Sequence, residues 1–181
     1  MVIWITGLSG SGKSTLCEAL RPKLKALRPN LVTLDGDAVR AAFGDDLSFR
    51  EADRVTQIKR IQGIAKLLAD QGITVLVAAL YAHPDLLAWN RANLRDYFEI
   101  YLKSDVEFLL KRDNKKLYQR ATHGEIPDVV GVDIPWHAPK NPDLVFDATS
   151  LTPADALANQ VLRKLMSKDT SSLSELRTTP A

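Results

Sequence analysis

The sequence predicts an α/β fold in which helices cover both faces of a parallel β-sheet, and three observations support this class. Five short apolar runs are rich in Val, Ile, Leu and Phe without clean alternation, as is typical of strands buried on both faces. Segments with helical periodicity lie between them, which is the order of a parallel sheet. The chain has 181 residues, the length of about one domain.

The strands are predicted from continuous apolar runs that polar or turn residues bound. They cover Val2–Gly7, Leu31–Asp35, Ile73–Leu80, Phe98–Leu102 and Leu144–Asp147. In an open parallel sheet, ligands bind outside the carboxyl ends of the strands. We therefore expect the functional residues just after these runs.

The helices are predicted from apolar stripes with a period near 3.6 residues. They cover Lys13–Leu27, Glu51–Gln71, Asp85–Arg95, a charged stretch around Arg112–Thr122, and Pro153–Met166. Pro29 follows the first of them, and Gly72 ends the second, as expected for residues that stop helices.

Two segments do not fit this alternation. Residues 123–143 are rich in proline and lack periodicity, and loops of this length in a compact domain are usually functional. We predict that residues 112–143 form a lid or substrate loop. Residues 168–181 are polar and are predicted to be a flexible tail, so that one domain spans residues 1–167.

The composition argues against several classes of protein. The formal charge is +2, from 24 basic and 22 acidic residues, which favours neither nucleic acid nor a membrane surface as the main partner. No apolar run approaches the roughly 18 residues of a membrane span. Cys17 is the only cysteine, which excludes an internal disulfide and, without a recognisable signal peptide, favours the cytoplasm.

The stretch GLSGSGKST is the strongest functional signal. It matches G-x-x-x-x-G-K-[ST] between a predicted strand and a predicted helix, which is the context in which this motif holds phosphates. Lys13 is expected to reach the β- and γ-phosphates, and Ser14 to coordinate Mg²⁺. We therefore predict a P-loop fold. The predicted triphosphate-binding residues are Gly7, Leu8, Ser9, Gly10, Ser11, Gly12, Lys13, Ser14 and Thr15.

A second ligand is indicated by LDGDAVR, which follows the second strand. Asp37 is placed to accept a proton from a hydroxyl group or to hold Mg²⁺ through water, and Arg40 to neutralise an anion. No Asn-Lys-x-Asp motif of GTPases is present, and the third strand ends without a carboxylate. These features favour a kinase over an NTPase. The alternative is that Asp35 and Asp37 cap a helix and that Arg40 is a solvated side chain.

Four stretches together resemble the adenylylsulfate (APS) kinase family: GLSGSGKST, LDGDAVR, LSFREADRVTQIKR and KKLYQRATHGEIPDVVGVDIPWHAPKNPDL. They keep the family's order and spacing from residue 2 to about residue 150. The resemblance implies transfer of the γ-phosphate of ATP to the 3′-hydroxyl of adenosine 5′-phosphosulfate (APS), which gives PAPS. It also implies the strand order 2-3-1-4-5 and a possible homodimer.

The resemblance assigns roles residue by residue. Asp37, Lys13 and Arg40 are the implied catalytic residues, Ser14 and Asp37 the implied Mg²⁺ ligands, and Arg112 a contact to the ATP phosphates. Phe49 is expected to stack on the acceptor's base. The implied acceptor-binding residues are Asp35, Asp37, Arg40, Phe49, Arg54, Gln57, Leu80, Tyr81, Lys115, Val129, Val130, Gly131 and Asp133.

The departures from the family pattern fall in the acceptor site. Val129 stands where the family has a stacking Phe, Gln57 where it has Asn, and Tyr81 where it has Ser. The hypothesis that follows is a different nucleotide acceptor, such as the cytidine diphosphoramidate of capsule phosphoramidate synthesis. A third alternative is an ATP-binding partner without catalysis, which the presence of Asp37 and Arg40 disfavours.

Overall fold

A five-stranded parallel sheet forms the centre of the protein. The computed structural model describes residues 1–44, 46–113, 116–150 and 152–177. The strands are β1 (Val2–Thr6), β2 (Leu31–Asp35), β3 (Thr74–Ala79), β4 (Tyr97–Lys103) and β5 (Leu144–Asp147). They pair in parallel in the order β2-β3-β1-β4-β5. The predicted strands and their expected order are confirmed.

Helices pack on both faces of this sheet, as predicted. They are α1 (Lys13–Leu27), α2 (Gly36–Ala42), α3 (Glu51–Asp70), α4 (Pro84–Asn93), α5 (Val106–Lys111), α6 (Leu117–Thr122) and α7 (Ala154–Arg177). One apolar core joins α1 and α7 to strand residues such as Ile3 and Ile5. The other joins α3, α4 and α6 to the opposite strand face, which includes Val2 and Trp4.

The helix predicted around Arg112–Thr122 is shorter in the structure, where α6 covers Leu117–Thr122. Arg112 ends α5 instead, and Lys116, at a φ of 51°, directly precedes α6. The helix α5 is set by Asp105, whose carboxylate accepts the backbone N–H of Phe108 at 2.7 Å. Such a cap starts a helix at a point that charge and periodicity do not reveal.

The last helix is longer than predicted, since it continues past Met166 to Arg177. The added segment is polar, but it contains neither glycine nor proline, so nothing in its backbone chemistry stops the helix. The boundary expected at Met166 is therefore wrong. The flexibility of residues 168–181 stays a prediction.

The topology brings the predicted ligand-binding segments to one edge of the sheet. The glycine-rich loop follows β1, the helix α2 follows β2, and Leu80 and Tyr81 follow β3. Because these strands are parallel neighbours, their carboxyl ends lie side by side. In the part of the chain that is described, no helix is long and apolar enough to cross a membrane.

Candidate functional site

The loop between β1 and α1 has a backbone that only glycine can adopt at several positions. Gly10 and Gly12 have φ angles of +77° and +95°. A Cβ atom at Gly7 would lie 2.7 Å from the carbonyl oxygen of Leu102 and 2.7 Å from Oγ of Ser11. The loop therefore keeps the tight curvature that turns backbone N–H groups toward a bound phosphate.

Lys13 is held inside this loop. Its ammonium donates to the carbonyl oxygen of Gly7 at 2.9 Å and to that of Leu8 at 2.8 Å. Burial lowers the pKa of Lys13 to about 8, while the nearby charges of Asp37 and Asp35 act in the opposite direction. The lysine is thus a poorly solvated cation at the predicted triphosphate site, close enough to Asp37 and Asp35 to interact with them.

The rest of the loop leads into the amino end of α1. Ser14 and Thr15 are exposed there, where unpaired N–H groups and the helix dipole favour an anion. Oγ of Ser11 is buried, and no hydrogen-bond partner for it is found among the described residues. A bound phosphate would supply such a partner.

A hydroxyl group ties the segment that is predicted to be a lid to the phosphate-binding loop. Tyr118 lies on α6, is 2% exposed, and donates to the carbonyl oxygen of Ser9 at 2.9 Å. The sequence analysis did not assign this residue a ligand or a role. The contact fixes one side of the lid segment (residues 112–143) against the loop that is expected to hold ATP.

The two aspartates after β2 have different surroundings. The carboxylate of Asp35 caps α2 by accepting the N–H groups of Asp37 at 2.9 Å and Ala38 at 3.2 Å. The capping alternative is therefore confirmed for Asp35, whose contact with an acceptor stays a prediction. Asp37 lies in the first turn of α2 with an exposed side chain, and its charge acts on Lys13.

Two arginines and an aromatic ring form a cluster beside these aspartates. Phe49 is 56% exposed, and its ring centre lies 4.7 Å from the guanidinium carbon of Arg40 and 5.6 Å from that of Arg54. Arg40 donates to the carbonyl oxygens of Leu47 and Ser48, both at 3.0 Å. The cluster offers positive charge and a partly exposed aromatic ring at one place, as a nucleotide requires.

Arg54 links this cluster to the lid. Its side chain donates to the carbonyl oxygen of Phe49 at 2.8 Å and to that of Asp128 in the lid at 2.6 Å. Burial, with repulsion from Arg40, lowers the pKa of Arg54. A second positive charge held this close to Arg40 favours an anion between or beside them.

Gln57 and Leu80 lie below the cluster. The side-chain N–H of Gln57 donates to the carbonyl oxygen of Gly36 at 3.0 Å, which ties α3 to the start of α2. Its side-chain oxygen is buried and finds no partner within the described part of the chain. The carbonyl oxygen of Leu80 accepts the Thr6 hydroxyl at 3.3 Å, so this carbonyl also joins β3 to β1.

Tyr81 contacts a residue that the sequence analysis missed. Its hydroxyl donates to Oε1 of Glu51 at 2.5 Å, and the ring is 3% exposed. Glu51 is the first residue of α3 and lies within the quoted LSFREADRVTQIKR. A tyrosine in place of the family's serine was the signal that a new polar partner is needed in this part of the site.

Several lid residues were predicted to contact the acceptor. In the structure they stabilise the conformation of the lid segment itself. Val129 and Val130 are buried, 5% and 2% exposed, and pack in the core on the α3 face. Asp133 accepts the backbone N–H groups of Asp128 and Val129. Gly131 has a φ of +95°, and a Cβ there would lie 3.0 Å from Val106. Their contacts with an acceptor stay predictions.

Two further predicted contacts, those of Arg112 and Lys115, stay predictions. Arg112 is exposed, with its guanidinium carbon 5.2 Å from the ring centre of Phe108. Lys115 lies outside the described residues. Among the residues that are described, no cluster of three or more His, Cys, Asp or Glu side chains could hold a metal ion.

Comparison with known sequences agrees over almost the whole chain. The profile of the family described as adenylylsulphate kinase matches residues 1–147. An adenylyl-sulfate kinase of Deinococcus deserti is 42% identical over 156 residues, which are 86% of this chain and 86% of that protein. A cytidine diphosphoramidate kinase of Campylobacter jejuni is 38% identical over 164 residues, which are 91% of this chain and 95% of that protein.

Comparison with solved structures agrees with this result. The APS kinase of Mycobacterium tuberculosis, in complex with AMPPNP and APS, has a TM-score of 0.80 and 36% identity, and covers 91% of this chain and 96% of that one. The shikimate kinase of Aquifex aeolicus has a TM-score of 0.58 at 17% identity, over 94% of this chain and 99% of that one. The second likeness shows the P-loop kinase fold alone.

Proposed function

The chain belongs to the adenylylsulfate kinase family, and we propose on that basis that it transfers the γ-phosphate of ATP to the 3′-hydroxyl of a nucleotide acceptor. The observation that carries this proposal is that Lys13 is held in the glycine-rich loop and interacts with Asp37, which belongs to the other predicted ligand site. Its ammonium lies inside the phosphate-binding loop and feels the charge of Asp37. Phosphoryl transfer requires the attacking and leaving oxygens to be positioned in line and a cation to neutralise the charge on the transferred phosphate.

Each residue's proposed role follows from its position. The loop from Gly7 to Thr15 binds the triphosphate, and Lys13 turns from the loop carbonyls to the phosphate oxygens. Arg40 and Arg54 neutralise the acceptor's charged group, and Asp37 accepts the proton of the attacking hydroxyl. That oxygen forms the new bond to the γ-phosphorus while the bond to the β-phosphate oxygen breaks, and ADP leaves.

The available donors fit Mg²⁺. Ser14 and Asp37 both present exposed oxygen atoms, and oxygen ligands from one or two side chains, with the substrate's phosphates, are the set that Mg²⁺ prefers. When bound there, the ion neutralises phosphate charge during transfer. Ser14 and Asp37 are the residues of this chain that would hold it.

APS is the first acceptor that we propose. Two features found in the structure suit it: the partly exposed ring of Phe49 for a base and the paired guanidinium groups for a charged group. The second candidate is cytidine diphosphoramidate. Val129 in place of the family's stacking Phe favours it, because one aromatic ring then remains for stacking in place of two, and a pyrimidine has less area to stack.

Release of ADP tests the proposal. The purified protein is given ATP and Mg²⁺ with APS, with cytidine diphosphoramidate, or with no acceptor. We expect ADP release that depends on one of the two acceptors and a product phosphorylated at the 3′ position. Equal, slow release in all three reactions would contradict the proposal and would favour an ATP-binding protein without this activity.

Replacing Val129 by Phe tests the stacking argument. We expect kcat/KM for APS to rise relative to the cytidine compound, because a base-aromatic stack contributes about 1–3 kcal/mol. Val129→Leu is the matched control, since it adds volume to the same buried position without a ring. Both variants should lose stability from overpacking, by about 1–3 kcal/mol. The argument would be contradicted if the ratio of kcat/KM for APS to that for the cytidine compound changes equally in the two variants.

Two coarser expectations accompany the proposal. ATP is the phosphate donor, so we propose a location where ATP is available, the cytoplasm. The homodimer that the resemblance implies also stays a prediction. Sedimentation of the purified chain tests it directly.

A further inference from the structure

Tyr81 and Glu51 form a polar pair that no step of the proposed reaction uses. The tyrosine hydroxyl donates to Oε1 of Glu51. Burial raises the pKa of Tyr81, and the bond to Glu51 adds to this, so the hydroxyl keeps its hydrogen and gives it to the carboxylate. What the pair then offers to a third group is oxygen lone pairs, which accept hydrogen bonds and donate none.

The pair lies beside the arginine that is expected to bind the acceptor's charged group. Glu51 and Arg54 are three residues apart on α3, and residues at this spacing are neighbours on a helix surface. Arg54 also interacts electrostatically with Tyr81. A terminal group that reaches Arg54 therefore comes close to the oxygens of Tyr81 and Glu51.

A cavity opens on the same two residues. Its volume is about 720 Å³, within the range of roughly 300–1,000 Å³ that small-molecule sites occupy. Its wall is formed by the start of α3, the residues after β3 and the start of α4. The side chains that line it include those of Glu51, Lys59, Tyr81, His83 and Asp85, whereas Arg54 does not line it. Glu51 and Asp85 add two carboxylates to this wall, and Lys59 lies two helical turns from Glu51.

We propose that Tyr81 and Glu51 form a subsite for the terminal group of the acceptor, and that this subsite favours a group with an N–H donor over a sulfate. The inference rests on the proposed function and, of its two candidate acceptors, favours the phosphoramidate over APS. A sulfate has acceptor oxygens only, so it meets the carboxylate of Glu51 with repulsion and without a hydrogen bond. A terminal phosphoramidate has an amino group that donates to these oxygens, while its remaining oxygens bind Arg54.

The test uses two acceptors with the same base, so that stacking on Phe49 does not enter. One is APS, and the other is the adenosine diphosphate analogue with an amide nitrogen on the terminal phosphorus. We expect the wild-type kcat/KM to be at least tenfold higher for the amide. In Glu51→Gln the new side-chain N–H can donate to a sulfate, and we expect this preference to fall at least tenfold. Tyr81→Phe should weaken it in the same direction.

A matched variant and a second readout separate the possible failures. Asp70 lies at the far end of the same helix, where its carboxylate pairs with Lys66. Asp70→Asn should leave the ratio of kcat/KM for the two acceptors unchanged. Melting curves show that each variant is folded. The affinity of both acceptors is also measured by calorimetry with a non-hydrolysable ATP analogue.

The outcomes are distinguishable. The subsite would be overturned, and the proposed function left intact, if the acceptors are phosphorylated and the ratio of kcat/KM for the amide to that for APS is the same in wild type and Glu51→Gln. Cytidine diphosphoramidate is included as a third acceptor. If none of the three is phosphorylated but the adenosine amide binds more tightly than APS in a Glu51-dependent way, the proposed function fails and the subsite stands. Binding of none of the three overturns both.

Discussion

Replacing Asp37 by Asn is expected to reduce kcat by about 10²–10⁴-fold, the usual contribution of a positioned general base. The exposed carboxylate lies in the first turn of α2, at the carboxyl edge of the sheet, and its charge acts on Lys13. An amide keeps the size of the side chain but cannot take the proton of the attacking hydroxyl. Steady-state kinetics with saturating ATP and acceptor measure the loss.

Binding of ATP should survive this substitution. The phosphate-binding loop connects β1 to α1, and the capping hydrogen bonds of α2 are accepted by Asp35. Asp37→Asn should therefore leave both the loop and the start of α2 unchanged. Asp155→Asn, on α7 at the other face of the sheet, is the control for loss of one surface carboxylate. Unchanged turnover in Asp37→Asn would remove this residue from the mechanism.

The sequence predicted the sheet well because its strands are buried on both faces. β1 is buried at every position, as is β3, so their residues form continuous apolar runs that stand out from the amphipathic helices. The short helices were harder to predict. α2 and α5 have seven and six residues, too few for a periodic stripe, and each begins at an aspartate cap whose effect is local.

The candidate site was predictable where its chemistry depends on the backbone. The glycines of the phosphate-binding loop are required by φ angles and by a close approach to Leu102, and such requirements leave a fixed spacing in the sequence. The acceptor side depends on contacts between distant segments. Tyr81 and Glu51 are 30 residues apart, and the carbonyl of Asp128 that binds Arg54 is 74 residues away from it, so no local pattern could reveal either pair.

The same limit applies to Asp133 and Asp35, whose contacts with an acceptor stay predictions. Asp133 and Asp35 were predicted as acceptor contacts from their places in motifs, yet both carboxylates accept backbone N–H groups. A motif shows that an oxygen is needed at a position. It does not show whether that oxygen faces the ligand or holds the loop that faces it.

Replacing Lys13 by Met is expected to lower kcat/KM for ATP by about 10²–10³-fold, the loss seen when one donor to a developing charge is removed. The methionine keeps the length and apolar stem of the side chain. Tyr118, Gly7 and the rest of the loop are untouched, so the fold should persist. Kinetics give the loss, and a melting curve confirms that the variant is folded.

The pH dependence of ATP binding tests the same lysine more sharply. Since burial lowers the pKa of Lys13 to about 8, the free protein loses this cation as the pH rises above 8, and ATP must then bind together with a proton. The Kd of ATP in the wild type should increase about tenfold per pH unit over this range. Lys13→Met should show no such slope.

The stability of the free protein should change in the opposite direction. A lysine whose pKa is lowered on folding binds its proton more weakly in the folded than in the unfolded chain. Its unfavourable contribution is fully present below pH 8 and disappears as the pH rises from about 8 to 10.5, the ordinary value, so the free energy of unfolding rises in that interval. Parallel pH profiles in the wild type and Lys13→Met, for ATP affinity and for stability, would show that Lys13 is not the poorly solvated cation of the site.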